Sequence, residues 1–181
     1  VQDARGVGIK NNYDHAGRPL SQYLRPAGGV FSAGTLYSYD LNDSTSPFGL
    51  GKLWKTVAYE VRPDGSSGPY PILTLDRLYN GVGGRLSSLK HTFGDWWLGP
   101  SLVTDYTYTN RGQGASITYP RATPTATHTP LTVTYGYRNG RAVCAGDAGD
   151  CDPTGNPALG RLRYNAAGGV ETVDMPGGGR T

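Results

Sequence analysis

Short stretches in which Thr, Val, Leu and Tyr alternate with polar residues recur along the chain. None sustains the stripe of an amphipathic helix. The clearest are Leu53–Val61, Ser101–Tyr108, Ser116–Tyr119 and Leu131–Tyr137, each bounded by Gly, Pro, Asn or Asp. Strands closed by tight turns have this signature. The longest run free of Gly and Pro, Thr35–Ser46, has 12 residues and is rich in Ser, Thr, Asn and Asp. Those side chains compete for backbone hydrogen bonds and disfavour a helix interior. The expectation is an all-β chain with little or no helix.

The turns carry a recurring phrase: Tyr, then Asp or Asn, then Gly, a basic residue and an apolar one. It reads Tyr13-Asp14-His15-Ala16-Gly17-Arg18-Pro19-Leu20, then Tyr79-Asn80 through Gly84-Arg85-Leu86, then Tyr137-Arg138-Asn139-Gly140-Arg141-Ala142. Tyr39-Asp40 opens a stretched copy ending at Gly51-Lys52-Leu53, and Tyr108 to Gln113 is a looser one. Gly160-Arg161-Leu162 precedes Tyr164-Asn165, and Tyr59-Glu60 counts as a degenerate copy. The tyrosines that open these phrases, with Tyr164, lie 20 to 29 residues apart from one to the next, within the range of repeat architectures. Asp, Asn and Gly suit the turn, Tyr closes a strand with a ring and a hydroxyl, and the basic stem lies over apolar surface. The apolar residue after it is expected to point inward. A second turn type, Pro63-Asp64-Gly65 and Pro176-Gly177-Gly178, falls between copies. Together these predict stacked antiparallel β-hairpins.

Composition sharpens this picture. Of 181 residues, 33 are Leu, Ile, Val or Phe, a poverty typical of disordered chains. A net charge of only +3 and 13 Tyr argue instead for a folded chain with a thin core thickened by tyrosine. Lys and Arg are spread along the sequence without a concentrated patch, so nucleic acid is not an expected partner. No apolar run approaches the ~20 residues of a membrane span, and the first ten residues lack a signal-peptide pattern.

These phrases, with Ser116-Ile117-Thr118-Tyr119-Pro120 and the closing Val170–Gly178 segment, resemble the Rhs/YD-repeat family. That family takes in bacterial Rhs proteins, the C components of insecticidal Tc toxins, and teneurin ectodomains. The resemblance covers nearly the whole chain as one region, 1–181, of about six to seven irregular repeats. It implies a spiral sheet of hairpins, a YD-repeat solenoid, often closing as a shell around a toxic domain. The Asp-Pro-x-Gly-Leu block that ends bacterial shells is missing, since Asp152-Pro153-Thr154-Gly155-Asn156 is only an echo of it.

Other groups of residues have mainly structural readings. His15, His91 and His128 lack metal-ligand spacing. Gly65-Ser66-Ser67-Gly68 is one residue short of a nucleophile elbow, and Gly49-Leu50-Gly51-Lys52 lacks the Ser or Thr of a phosphate loop. Asp64, Asp76, Asp95 and Asp105 are common turn or strand acids before they are a hydrolase pair. Cys144 and Cys151 enclose a short Gly-rich loop, which favours a local disulfide in an oxidising compartment. Asp150, Asp152, Thr154 and Gly155 fit the start of a calcium loop, but Arg161 stands where the closing acid belongs. Trp54, Trp96, Trp97 and the tyrosines read as sheet-stabilising aromatics, with Trp96 and Trp97 the pair that would contact a glycan. Arg121–Pro130 is Thr/Pro-rich and reads as an extended loop or a glycosylated stretch, and Asn42-Asp43-Ser44 is a glycosylation triplet.

The expected role is therefore a non-enzymatic structural segment of an extracellular or cell-surface protein, without catalytic residues, cofactor or metal. The expected partners are further repeats of the same chain or identical copies, with an enclosed polypeptide or a surface glycan beyond them. A carbohydrate-binding adhesion module and a self-assembling filament subunit are the alternatives. Val1 falls mid-repeat and Gly177–Thr181 follows a turn, so both ends are expected to meet more chain or another copy.

Overall fold

The computed structural model describes residues 2–41, 43–44, 46–62, 67–94, 101–120, 130–147 and 159–175. Twelve strands follow one another: β1 (Gly8–Tyr13), β2 (Pro19–Arg25), β3 (Ser32–Tyr39), β4 (Leu53–Val61), β5 (Ser67–Leu78), β6 (Ser88–Phe93), β7 (Ser101–Tyr108), β8 (Gly114–Tyr119), β9 (Leu131–Arg138), β10 (Arg141–Asp147), β11 (Gly160–Tyr164) and β12 (Val170–Asp174). Sheet order is chain order, and every described pairing is antiparallel. No described residue is helical. The fold is all-β, a meander of hairpins, because tight turns can join only antiparallel neighbours.

One loop design recurs. Asp3–Val7, Asp14–Arg18, Thr109–Gln113 and Asn165–Gly169 each close with two backbone bonds, from the first N–H to the fifth carbonyl and from the fourth N–H to the first carbonyl, all 2.8–3.0 Å. The fourth residue is always Gly (Gly6, Gly17, Gly112, Gly168) with φ between 76° and 87°, a conformation that L side chains rarely adopt. The first side chain reinforces the loop: Asp14 Oδ1 accepts the Ala16 and Arg18 N–H groups, each at 2.9 Å. Asn165 Oδ1 accepts from Gly169 at 2.9 Å, and Thr109 Oγ1 accepts from Gln113 at 3.2 Å. The β9–β10 turn differs. Asn139 (φ 51°) and Gly140 (φ 80°) form the two-residue turn that matches strand twist. Strand register slips at Asn12/Tyr13, Ser38/Tyr39, Thr107/Tyr108 and Arg163/Tyr164, so a bulge reorients the chain at each of these corner tyrosines.

By internal contacts the chain divides into two compact units, Val1–Asn80 with Gly84–Val103, and Gly81–Gly83 with Thr104–Thr181. In the first, burial falls on small residues: Gly8, Ser21, Gly34, Ser46, Gly49 and Gly84. Ser46, wholly buried, ties the Leu41–Lys52 insertion to the next corner by accepting the Tyr79 N–H at 2.9 Å. In the second, Thr104, Val133 and Cys144 are buried. Hydroxyl pairs cross its strands, Thr107 with Ser116 at 2.6 Å and Thr118 with Thr132 at 3.0 Å. Among the described residues Val133 and Cys144 are the only buried apolar side chains, while the corner tyrosines Tyr39, Tyr79, Tyr108, Tyr137 and Tyr164 are half-buried.

Two details differ from the sequence expectation. Tyr59 lies within β4 opposite Pro71 rather than at a turn, so Tyr59-Glu60 is strand and not a corner. Leu20 does not point inward: it is 41% exposed, since no described residue covers it fully.

Candidate functional site

The conspicuous constellation is the joint between successive hairpins, built from a corner tyrosine and the end of the preceding turn. In the first unit the Tyr79 hydroxyl donates to the Leu53 carbonyl at 2.8 Å. In the second, Tyr137 donates to the Gly114 carbonyl and Tyr164 to the Ala142 carbonyl, each at 2.8 Å. The acceptor is always the residue after the turn's closing position: Leu53 after Lys52, Gly114 after Gln113, Ala142 after Arg141. That closing side chain covers the same tyrosine. Lys52 Nζ lies 4.7 Å from the Tyr79 ring centre, and the Arg141 guanidinium lies 5.4 Å from the Tyr164 ring centre. Arg18 sits 4.5 Å over Tyr39 in the same way. Where the closing residue is Gln113, its Nε2 instead donates to the Gly140 carbonyl at 2.8 Å. At Tyr79 and Tyr164 the cation–ring contact and the phenol bond thus both join one hairpin to the next. At Tyr137 the phenol bond does so beside neutral Gln113, and at Tyr39 the cation–ring contact does so.

The electrostatics are strongest at the first joint. Arg18 donates to Asp14 at 2.6 Å and to both oxygens of Asp40, at 3.1 and 2.9 Å. Asp40, itself at φ 68°, also accepts the Gly51 N–H at 2.6 Å. The Arg18 N–H and guanidinium hold the Asp14 carboxyl below its ordinary range. The Arg18 guanidinium, followed by the Gly51 N–H, does the same for Asp40, and Arg18 is pushed up by both acids. Burial raises the phenols of Tyr39, Tyr79, Tyr106 and Tyr135.

The other motif residues occupy varied places. Tyr13 stands 57% exposed at the end of β1, beside the Asp14–Gly17 loop. The Tyr79 corner lacks the recurring loop. There Asn80 donates to Ser87 Oγ at 3.4 Å, and the Gly84 carbonyl accepts from Lys52 Nζ. Gly84 (φ 69°) packs so closely on Phe48 and Lys52 that a Cβ would crowd both, while Arg85 lies beyond it in the turn leading to β6. Gly160 and Arg161 sit inside β11, ahead of the corner; the turn positions belong to Gly168 and Gly169. The Asp3–Gly6 loop and the buried Ser46 were missed in the sequence, although the Asp-x-x-Gly spacing of the former is readable there. His15 lies in an exposed loop, and His91 stacks near Phe93 with ring centres 6.3 Å apart. Asp76 pairs with Lys55 at 3.5 Å, and Asp105 is an exposed strand residue opposite Thr118.

Cys144 is buried and disulfide-bonded. Cys151, Trp96, Trp97, His128, Asn42, Asp64, Asp95 and the Asp150–Gly155 stretch lie outside the described residues. Among the described residues no cluster of His, Cys, Asp or Glu fits a metal ion, and no helix is long and apolar enough to cross a membrane.

Strands part beside two of these corners. A cleft of about 290 Å³ opens near Tyr137, lined by uncharged residues including Tyr106, Gly114, Ile117 and Tyr135. A cleft of about 600 Å³ opens near Tyr164, lined by Arg138, Arg141, Arg161, Arg163 and Leu162.

No family model and no curated protein matches this chain. Among solved structures it is similar to the crystal structure of TcdB2-TccC3-Cdc42, at 16% identity and a TM-score of 0.34, covering 96% of this chain and 11% of that one. It is also similar to TcdB2-TccC3-TEV, at 14% identity and a TM-score of 0.26, covering 99% of this chain and 12% of that one. The chain therefore spans about a tenth of the length of these neighbours, and likeness of this strength adds nothing to the geometry above.

Proposed function

We propose that the chain is a non-enzymatic structural segment, a run of hairpins forming part of a shell or extracellular scaffold in a secreted or surface protein of Rhs type. The observation that carries this reading is the joint itself. Tyr79, Tyr137 and Tyr164 each spend the hydroxyl on the preceding hairpin, as a wall assembled hairpin by hairpin requires. The partners on this reading are further repeats of the same kind and a polypeptide enclosed by them.

Protease protection in the natural protein that carries this segment tests the proposal. An enclosed polypeptide resists digestion, and loses that protection when Tyr137→Ala and Tyr164→Ala are introduced together. A readily digested chain, or turnover abolished by changing one Asp or His, overturns it. Glycan-array binding lost with Trp96→Ala or Trp97→Ala replaces it with the adhesion reading.

A further inference from the structure

The uncharged cleft beside Tyr137 is walled by tyrosines of two kinds. Ile117 of β8 pairs directly with Tyr106 of β7 on one side and with Val133 of β9 on the other. Side chains alternate along a strand, so Tyr106, Tyr108, Ile117, Val133, Tyr135 and Tyr137 share one face of the sheet. A Cβ added at Gly114 would meet nothing nearer than the Tyr137 hydroxyl at 4.0 Å, so β8 leaves open space between the tyrosines of its neighbours. The Tyr137 hydroxyl is spent on the Gly114 carbonyl. Those of Tyr106 and Tyr135 bond to no other described residue, although both residues are half-buried. Burial raises both phenols, which keeps them protonated and able to donate as well as accept. Neither hydroxyl serves a joint, and the two residues line the cleft from either side of β8.

The lining narrows the ligand. No lining residue is charged, so an ion would lose its water there without gaining a counter-charge. A wholly apolar ring would seal two phenols from water without a partner. A sugar ring meets both conditions: its C–H faces lie against aromatic rings, and its edge hydroxyls bond to phenols. The open volume of about 290 Å³ is at the small end for ligand sites and fits one such ring. The turns at this end of the strands, Thr109–Gln113 and Asn139–Gly140, are both described. The segments outside the described residues join β7, β8, β9 and β10 at their other ends.

We propose that this cleft binds one neutral pyranose ring, stacked between the tyrosines of β7 and β9 and hydrogen-bonded by the Tyr106 and Tyr135 hydroxyls. Such a site is compatible with a wall segment and independent of it.

Saturation-transfer NMR and calorimetric titration of the whole chain test the site. The probes are methyl α-D-glucopyranoside and methyl β-D-galactopyranoside, with p-cresol as an apolar ring. Saturable, millimolar binding of at least one pyranoside is expected. Tyr106→Phe and Tyr135→Phe keep the ring and remove only the hydroxyl, and each is expected to weaken that binding about fivefold. Tyr59→Phe, the same change in β4, leaves affinity unaltered. Failure of both pyranosides to saturate overturns the proposal, as does binding that the Tyr106 and Tyr135 variants leave unchanged. Tighter binding of p-cresol than of either sugar, strengthened by those variants, overturns it in favour of an apolar ligand. Far-ultraviolet circular dichroism confirms that each variant keeps its strands.

Discussion

The joints at Tyr137 and Tyr164 share a framework and differ in charge. Each phenol donates to a main-chain carbonyl at 2.8 Å, and each acceptor follows the closing residue of the previous turn. At Tyr137 that closing residue is Gln113 and the neighbouring cleft is uncharged; at Tyr164 it is Arg141 and the cleft is lined with arginine. The hydrogen bond holds the hairpins together, and the closing side chain is free to be polar or cationic. What looks like one consensus in the sequence is thus a constant phenol bond combined with a closing side chain that varies.

Truncating the rings tests the shared half of this comparison most severely. Tyr137→Ala and Tyr164→Ala each remove a half-buried ring and its hydrogen bond. Each is expected to cost about 2 kcal/mol, read from the shift in urea midpoint. Near-neutral behaviour of either would break the equivalence of the two corners. Tyr137→Phe and Tyr164→Phe retain the ring and lose only the bond to carbonyl, for about 1 kcal/mol each. Exchanging the closing residues sharpens the contrast. Gln113→Arg and Arg141→Gln are expected to change stability by about 0.5–1 kcal/mol or less, the scale of one exposed cation–ring contact.

Acid provides the gentlest probe, and it acts at the first joint rather than at either of these. Asp14 and Asp40 bind protons less readily folded than unfolded, because Arg18 and backbone N–H groups stabilise their ionised forms. Their contribution is therefore complete above the ordinary carboxylate range and disappears as pH falls through their lowered folded values. Hydrogen exchange of the Gly17 and Gly51 amides is expected to quicken there before that of Gly140, whose turn contains no carboxylate.

Much of the fold was legible in the sequence because turns impose local chemistry. Gly17, Gly140 and the Tyr-Asp or Tyr-Asn pairs mark reversals wherever they are found, as positive φ leaves few alternatives. Tyr59 misleads because strands also favour tyrosine. The joint was less legible. Its acceptor is a carbonyl, which every residue possesses, so nothing in the identity of Leu53, Gly114 or Ala142 announces the role. The arginine cleft was not foreseen either. The sequence shows no concentrated basic patch, since a long connection separates Arg138 and Arg141 from Arg161 and Arg163 until the Cys144–Arg161 pairing brings them together.

A phenol bond that grips a main-chain carbonyl does not read the side chain of the residue it grips. Hairpins can accordingly be lengthened, as between Asp40 and Lys52, or have their surfaces rewritten, as between Gln113 and Arg141, without redesigning the seam. Such a chain can diversify by exchanging or duplicating units, and its outer chemistry can evolve at a pace independent of the framework beneath.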